Sequence, residues 1–358
     1  MNNVSLLKGC FIMMVQNSAL VAMSGGVDST VAALISIKEG LDCTGAMMKL
    51  YHGETDSEAD ARRAAERLGI PFHVFDMSEC FAEEVITRFV DVYCEGRTPN
   101  PCVECNKRMK FGRLLEKAVE LGKDYIVTGH YARVKREPGG RYILKKGMDN
   151  SKDQSYVLYS LTQKQLAAAQ FPLGELTKKQ VREIALGAGL ENAQKNESQD
   201  ICFIEGGDYA KFIEDYIGEP PRKGRFIDMD GNDLGENRGV VRYTIGQRRG
   251  LGLAMKYPPY VVEIRPEDNT VVIGRNDELY SKTFFIRDIN LIPFEKIDSP
   301  IHAHVKIRYN HREQPARVHQ IDDDSLLVEF EEPQRAITKG QAAVIYKEDV
   351  VIGGGTIV

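Results

Sequence analysis

Two groups of residues in this chain could do chemistry by their type and spacing. The first is the stretch "AMSGGVDST", residues 22–30. Gly25 and Gly26 let a backbone approach an anion closely. Ser24, Ser29 and Thr30 add hydroxyl donors. A helix starting here would add unpaired N–H groups and a partial positive charge. Asp28 is the odd member. It either caps the helix or faces a bound phosphate across a Mg²⁺ ion. The Lys that a P-loop carries at this point is missing.

The second group is three thiols. Cys102 and Cys105 form a C-x-x-C pair in "GRTPNPCVECN", and Cys202 lies far downstream in "ESQDICFI". The pair opens a helical pattern, and a helix N-terminus favours the thiolate. Three readings stay open. One is half of a structural zinc site that lacks its second pair. Another is a redox pair, and the third is sulfur or acyl chemistry by thiolates.

These residues need elements to hold them. "SALVAM", "CTGAMMKL", "PFHVFDM" and "DYIVTGH" read as strands. Between them "STVAALISIKEG" and "DSEADARRAAERLG" read as helices, the second with Asp56 or Ser57 as N-cap. In "ECFAEEVITRFVDVYCEG", Phe81, Val85, Phe89 and Val92 fall at helical spacing. Strand–helix alternation implies an α/β domain: a mostly parallel sheet with helices on both faces. The turn after the first strand then lies at the sheet's carboxyl edge, where ligands bind. After Pro220 the pattern changes to turns and alternating strands, with "DGND" a hairpin signal. We therefore expect an α/β domain at 17–217 and two small all-β domains, a central one at 218–282 and a C-terminal barrel at 283–358.

Composition bounds the partners. The 358 residues carry a formal net charge of −5, so any nucleic acid must be held by local basic patches. No apolar run reaches the roughly 20 residues of a membrane span. Seven cysteines in a long chain point to reduced thiols and the cytoplasm. Cys10, Cys43, Cys80 and Cys94 read as small buried hydrophobes. Residues 1–16 read as a start-site extension or a frayed arm.

The pattern S-G-G-x-D-S resembles the PP-loop of the ATP pyrophosphatases. Those enzymes split ATP between the α- and β-phosphates and pass AMP to a substrate oxygen. The resemblance accounts for the missing Lys, since the γ-phosphoryl group is not transferred. It implies ATP with Mg²⁺, cradled by Ala22, Met23, Ser24, Gly25, Gly26, Val27, Asp28 and Ser29, with Asp28 on the Mg²⁺ side. Met48 and Gly129 would border the nucleotide, although Met48 also has the spacing of a core residue.

Further segments, "GRTPNPC", "TGHYAR", "KDQSYVL", "ESQDICFI", "YTIGQRRGLG" and "GQAAVIY", make the chain similar to the tRNA-specific 2-thiouridylase family over about residues 19–346. That resemblance implies 2-thiolation of the wobble uridine of the glutamine, lysine and glutamate tRNAs. It makes Cys202 the carrier of a persulfide received from a cysteine desulfurase or sulfur-relay protein. Cys105 becomes the second thiol, which attacks that persulfide or closes a disulfide with Cys202. Asn100, Pro101 and Cys102 would contact the target base; many members carry Asp at the position of Cys102. An iron–sulfur cluster on Cys102, Cys105 and Cys202 is a further option.

The resemblance also gives tRNA contacts to His130, Lys152, Asp153, Gln154, Arg308, Tyr309 and Gln341. His130 and Tyr131 offer rings on which a splayed base could stack. Basic runs at 97–113, 133–152 and 248–249 offer phosphate contacts. Two other readings remain: a different PP-loop enzyme such as an amide-forming ligase, and a non-catalytic RNA-binding module with a relict nucleotide site.

Overall fold

A computed structural model describes residues 17–51, 56–190 and 201–358. Cys10, the 1–16 extension, much of "ESQDICFI" and the cap side chain of Asp56 lie outside what is described.

The first sheet has five parallel strands in the order β3-β2-β1-β4-β7. They are β1 (Ser18–Ala22), β2 (Asp42–Lys49), β3 (Phe72–Asp76), β4 (Tyr125–Val127) and β7 (Ala169–Gln170). Side chains of a strand alternate between faces, and β1 shows the consequence. Leu20 joins the core on one face, against Phe81, Met109 and Leu114. Ala19 and Val21 join the other, against Val31, Ala61 and Val181. Helices cover both faces, as the alternating pattern predicts.

Two helical stretches depart from regular α geometry. Within residues 78–94, Ala82–Thr87 is π-helical, and so is Cys105–Arg113 within 101–120. Such widened turns are rare in length and gather at functional sites.

The second sheet, order β10-β11-β8-β9, is built from β8 (Gly224–Asp228), β9 (Asp233–Asn237), β10 (Tyr260–Arg265) and β11 (Thr270–Gly274). The "DGND" turn joins β8 to β9, with Gly231 at φ 86°. The third sheet runs β12 (Tyr280–Leu291), β15 (Leu326–Arg335), β14 (Gln314–Gln320), β13 (Ile301–Lys306), β16 (Ala342–Lys347) and β17 (Val350–Ile357). Because β12 also pairs with β17, the sheet closes into a barrel and leaves no open edge among these six strands.

One feature escapes the sequence pattern. The hairpin β5 (Ala132–Arg136) and β6 (Tyr142–Lys146) belongs to the α/β domain in sequence but not to its sheet. It joins the barrel, with Val350 of β17 opposite Lys145. The basic run of residues 133–152 is largely spent there. Arg133 and Lys145 reach the Asp349 carboxylate at 3.0 and 2.8 Å. Lys146 pairs with Glu313 at 2.7 Å, and Arg141 donates to the Ile292 carbonyl at 2.7 Å. These four cations are therefore domain-junction groups rather than the phosphate contacts expected of them.

Candidate functional site

The glycine turn lies where β1 ends. Gly25 has φ 74°, and a Cβ there would stand 2.6 Å from the Ser57 carbonyl, so only glycine fits. The helix Val27–Lys38 follows with Gly26 as N-cap and no side-chain cap, which removes the capping role for Asp28. Ser29 and Thr30 each donate a hydroxyl to the Gly26 carbonyl at 3.0 Å. Ser29 Oγ also accepts the Ser24 N–H at 3.2 Å. These bonds hold the turn in one shape. Gly129 follows β4, and a Cβ there would lie 2.8 Å from the Ser29 nitrogen. The end of β4 is thus pressed against the turn. Met48, half-buried at the end of β2, packs on the core.

The Lys missing from the turn is supplied from far along the chain. Lys178 is buried, and its Nζ lies 2.8 Å from both carboxylate oxygens of Asp28. The Tyr131 hydroxyl donates to Asp28 Oδ1, also at 2.8 Å. Lys178 begins the helix Lys178–Gly187, whose Thr177–Gln180 capping box fixes its first turn. A "LTKKQ" capping pattern was legible in sequence; its pairing with Asp28 was not. Asp28 is therefore held on two sides, by an ammonium and by a phenol hydroxyl.

The three thiols come together. Cys202 and Cys102 are near enough that each raises the Cys105 pKa, and Cys202 is raised by Cys102. All three are free thiols, with no Cys105–Cys202 disulfide. Among the described residues no three His, Cys, Asp or Glu side chains form a metal-holding group. The cysteines thus do not fit the cluster option, and no step is routed through one.

Burial reverses the expectation that the helix end makes these thiols acidic. Asn100 is the N-cap, so Cys105 sits in the second turn, beyond the reach of the helix terminus. Desolvation pushes its pKa up to about 11, and Lys110 opposes that. Cys102 is exposed, yet the surrounding protein mass still raises its pKa, again against Lys110. Five residues on an α-helix would leave Lys110 about 140° around from Cys105. The wider π turn, with its i→i+5 bonding, reduces that offset, and Lys110 is near enough to act on the Cys105 thiol. Sequence reading counted Lys110 only as part of a basic run.

Lys110 Nζ also lies 3.5 Å from His130 Nε2, while His130 Nδ1 lies 2.7 Å from Thr128 Oγ1. An ammonium only donates, so Nε2 accepts and Nδ1–H donates to Thr128. Burial and Lys110 hold the His130 pKa well below 6.5, so the ring is neutral. His130 and Tyr131 are both buried in the chain without RNA. The two residues link the glycine turn to the thiols: Asp28 to Tyr131, then His130 to Lys110.

The remaining expected tRNA residues divide. Asp153 accepts from the Gly147 and Ser155 N–H groups at 3.0 and 3.1 Å, and Gln154 Oε1 accepts from the Tyr131 N–H at 3.0 Å. Gln341 Nε2 donates to the Thr98 and Pro99 carbonyls at 3.0 and 3.1 Å. These three side chains serve internal positioning. Tyr309 is exposed, beside half-buried Arg308, and its hydroxyl reaches the Asp153 carbonyl at 3.4 Å. Lys152 is half-buried, and Arg248 and Arg249 are exposed. In the first basic run, Arg108 pairs with Glu104 at 2.7 Å, Arg113 with Glu84 at 2.6 Å, and Arg97 with Glu95.

No helix among the described residues is long and apolar enough to cross a membrane. A solved structure of NMN synthetase from Francisella tularensis aligns at 18% identity and a TM-score of 0.35, over 53% of this chain and 69% of its own. Family profiles described as a tRNA methyl transferase HUP domain, a tRNA methyl transferase PRC-barrel domain and an aminomethyltransferase beta-barrel domain match residues 17–206, 210–275 and 281–357. The chain is 43% identical to a protein named tRNA-specific 2-thiouridylase from Clostridioides difficile, over 96% of this chain and 99% of that one. It is 47% identical to the protein of that name from Carboxydothermus hydrogenoformans, over 96% of this chain and 98% of that one. With likeness of this extent over nearly its whole length, the chain belongs to the tRNA-specific 2-thiouridylase family.

Proposed function

We propose that the protein is a sulfurtransferase that replaces the C2 oxygen of the tRNA wobble uridine with sulfur, using ATP as the activating substrate. One observation carries the reading. A phosphate-type turn and three thiols meet at one sheet edge, joined through Asp28, Tyr131, His130 and Lys110. The turn supports adenylation, and the thiols support delivery of sulfur.

The uracil C2 oxygen is a poor leaving group. Its attack on the ATP α-phosphorus forms an O-adenylate and releases pyrophosphate. A persulfide on Cys202, received from a sulfur-donor protein, then attacks C2 through its terminal sulfur, and AMP leaves with the oxygen. Cys105 attacks the Cys202 sulfur and forms a disulfide with it. The S–S bond to the transferred sulfur breaks, leaving 2-thiouridine. An external thiol reductant then reopens the disulfide. Asp28, held by Lys178, would stand on the Mg²⁺ side of the polyphosphate. Asn100, Pro101 and Cys102 are the loop facing the base. The glutamine, lysine and glutamate tRNAs are the proposed substrates.

The methyl-transfer wording of the family profiles suggests another group transfer. Three gathered thiols and an ATP-type turn favour sulfur, and they also disfavour a relict RNA-binding module. The deciding experiment is nucleoside mass spectrometry of tRNA incubated with the protein, ATP, Mg²⁺ and a persulfide donor. We expect 2-thiouridine at the wobble position, with pyrophosphate release that requires both tRNA and ATP. Pyrophosphate without 2-thiouridine, while the donor is active, would sink the proposal.

A further inference from the structure

The loop that carries the proposed base contacts is not held by its own domain alone. Its carbonyls at Thr98 and Pro99 accept both bonds from the Gln341 amide, 243 and 242 residues away. The Thr98 N–H donates to the Lys339 carbonyl at 2.9 Å. Between these partners, Gly340 has φ 88°, and a Cβ there would stand 2.9 Å from both the Thr98 nitrogen and oxygen. The turn before β16 therefore presses its backbone on the loop. Next along, the Ala342 carbonyl accepts from the Tyr156 hydroxyl at 2.8 Å, and the Asn100 side chain bonds that same hydroxyl.

The contact borders an open cleft of about 270 Å³, lined by Pro99, Asn100 and Pro101, by Val85 and Arg88 of the 78–94 helix, and by Gly340 and Ala342 of the barrel. Barrel and loop therefore form one wall of the same cleft.

We propose that Gln341 is a positioning residue, through which the C-terminal barrel sets the Thr98–Cys102 loop against the thiols. The proposal rests on the thiolation reading for what the loop does, but not for how the loop is held. Gln341 acts on the loop backbone through the Thr98 and Pro99 carbonyls. The barrel becomes part of the catalytic centre's geometry: a displacement at residues 339–341 is passed straight to Asn100 and to the helix that carries Cys102 and Cys105.

Two variants of the full-length protein test this. Gln341→Ala removes both donors. Gly340→Ala keeps Gln341 but drives a methyl group into Thr98. Hydrogen exchange read by mass spectrometry should show amides of residues 98–105 exchanging about tenfold faster in Gln341→Ala, with β12 and β17 unchanged. Thiolation kcat should fall about tenfold while the tRNA Kd stays within about twofold. Gly340→Ala should give the same pattern. Unchanged exchange at 98–105 in Gln341→Ala would overturn the clasp. A weakened tRNA Kd at unchanged kcat would also overturn it, by making Gln341 a direct tRNA contact. Exchange reads the clasp even in a protein that does not thiolate, so failure of the activity assignment is seen separately.

Discussion

Lys178 Nζ stands 2.8 Å from each carboxylate oxygen of Asp28, so a buried ammonium closes the turn that lacks a lysine of its own. The pair joins the start of the first helix to the start of a helix 150 residues later. It places a carboxylate-paired ammonium beside the turn where the polyphosphate is expected.

Removing that charge should separate binding from folding. Lys178→Met leaves the Asp28 carboxylate without its ammonium partner, held by the Tyr131 hydroxyl in a half-buried setting. Because Asp28 keeps some solvent contact, we expect a loss of about 1–3 kcal/mol in denaturant unfolding, below the cost for a fully buried pair. ATP affinity, read by titration calorimetry, should fall at least about tenfold. The double variant with Asp28→Asn should regain stability but not ATP binding. Wild-type affinity in Lys178→Met would remove the lysine from the nucleotide site.

The thiols carry a pH signature. Burial raises the Cys105 pKa to about 11, against about 8.5 for a free thiol. The folded state holds this proton more tightly than the unfolded chain does. Its contribution to stability is therefore full below about pH 8.5 and is lost as pH rises through 11. Alkylation of Cys105, followed by peptide mass spectrometry, should keep accelerating above pH 9, where an ordinary thiol levels off. Cys105→Ser should remove that part of the alkaline stability loss. Cys105→Ser and Cys202→Ser should each abolish thiolation while ATP binding survives. Full thiolation by either would refute the assignment.

Basic residues should divide by position rather than by count. Arg248 and Arg249 are exposed, so replacing either by Ala should weaken tRNA binding and lower the salt slope by about one. Arg133 is engaged with Asp349 and the Lys146 carbonyl at the domain junction. Arg133→Ala should leave the salt slope unchanged and lower the unfolding midpoint. A slope change in Arg133→Ala would restore the hairpin to the tRNA surface.

Much of this was legible along the chain. The α/β pattern, the turn at 24–29, the "DGND" hairpin and the closing β strands all rest on local signals: glycine at tight turns, and apolar periods of 3.6 and 2. The likeness of the motif segments carried the family. These features depend on near neighbours, and near neighbours are what a sequence displays.

Tertiary structure decided the partners of the charged and polar groups. Asp28 reads as a cap or metal-side carboxylate, and only folding brings Lys178 to it from a distant helix. The charge state of His130 is not legible until burial and Thr128 make it a neutral, internally bonded ring. Lys145 and Lys146 read as phosphate contacts until the barrel supplies Asp349 and Glu313. The thiols read as acidic until desolvation outweighs the nearby Lys110. The reason is common to all four. An ionisable group's state is set by the charges and solvent within a few ångströms of it, and folding brings those neighbours from anywhere in the chain.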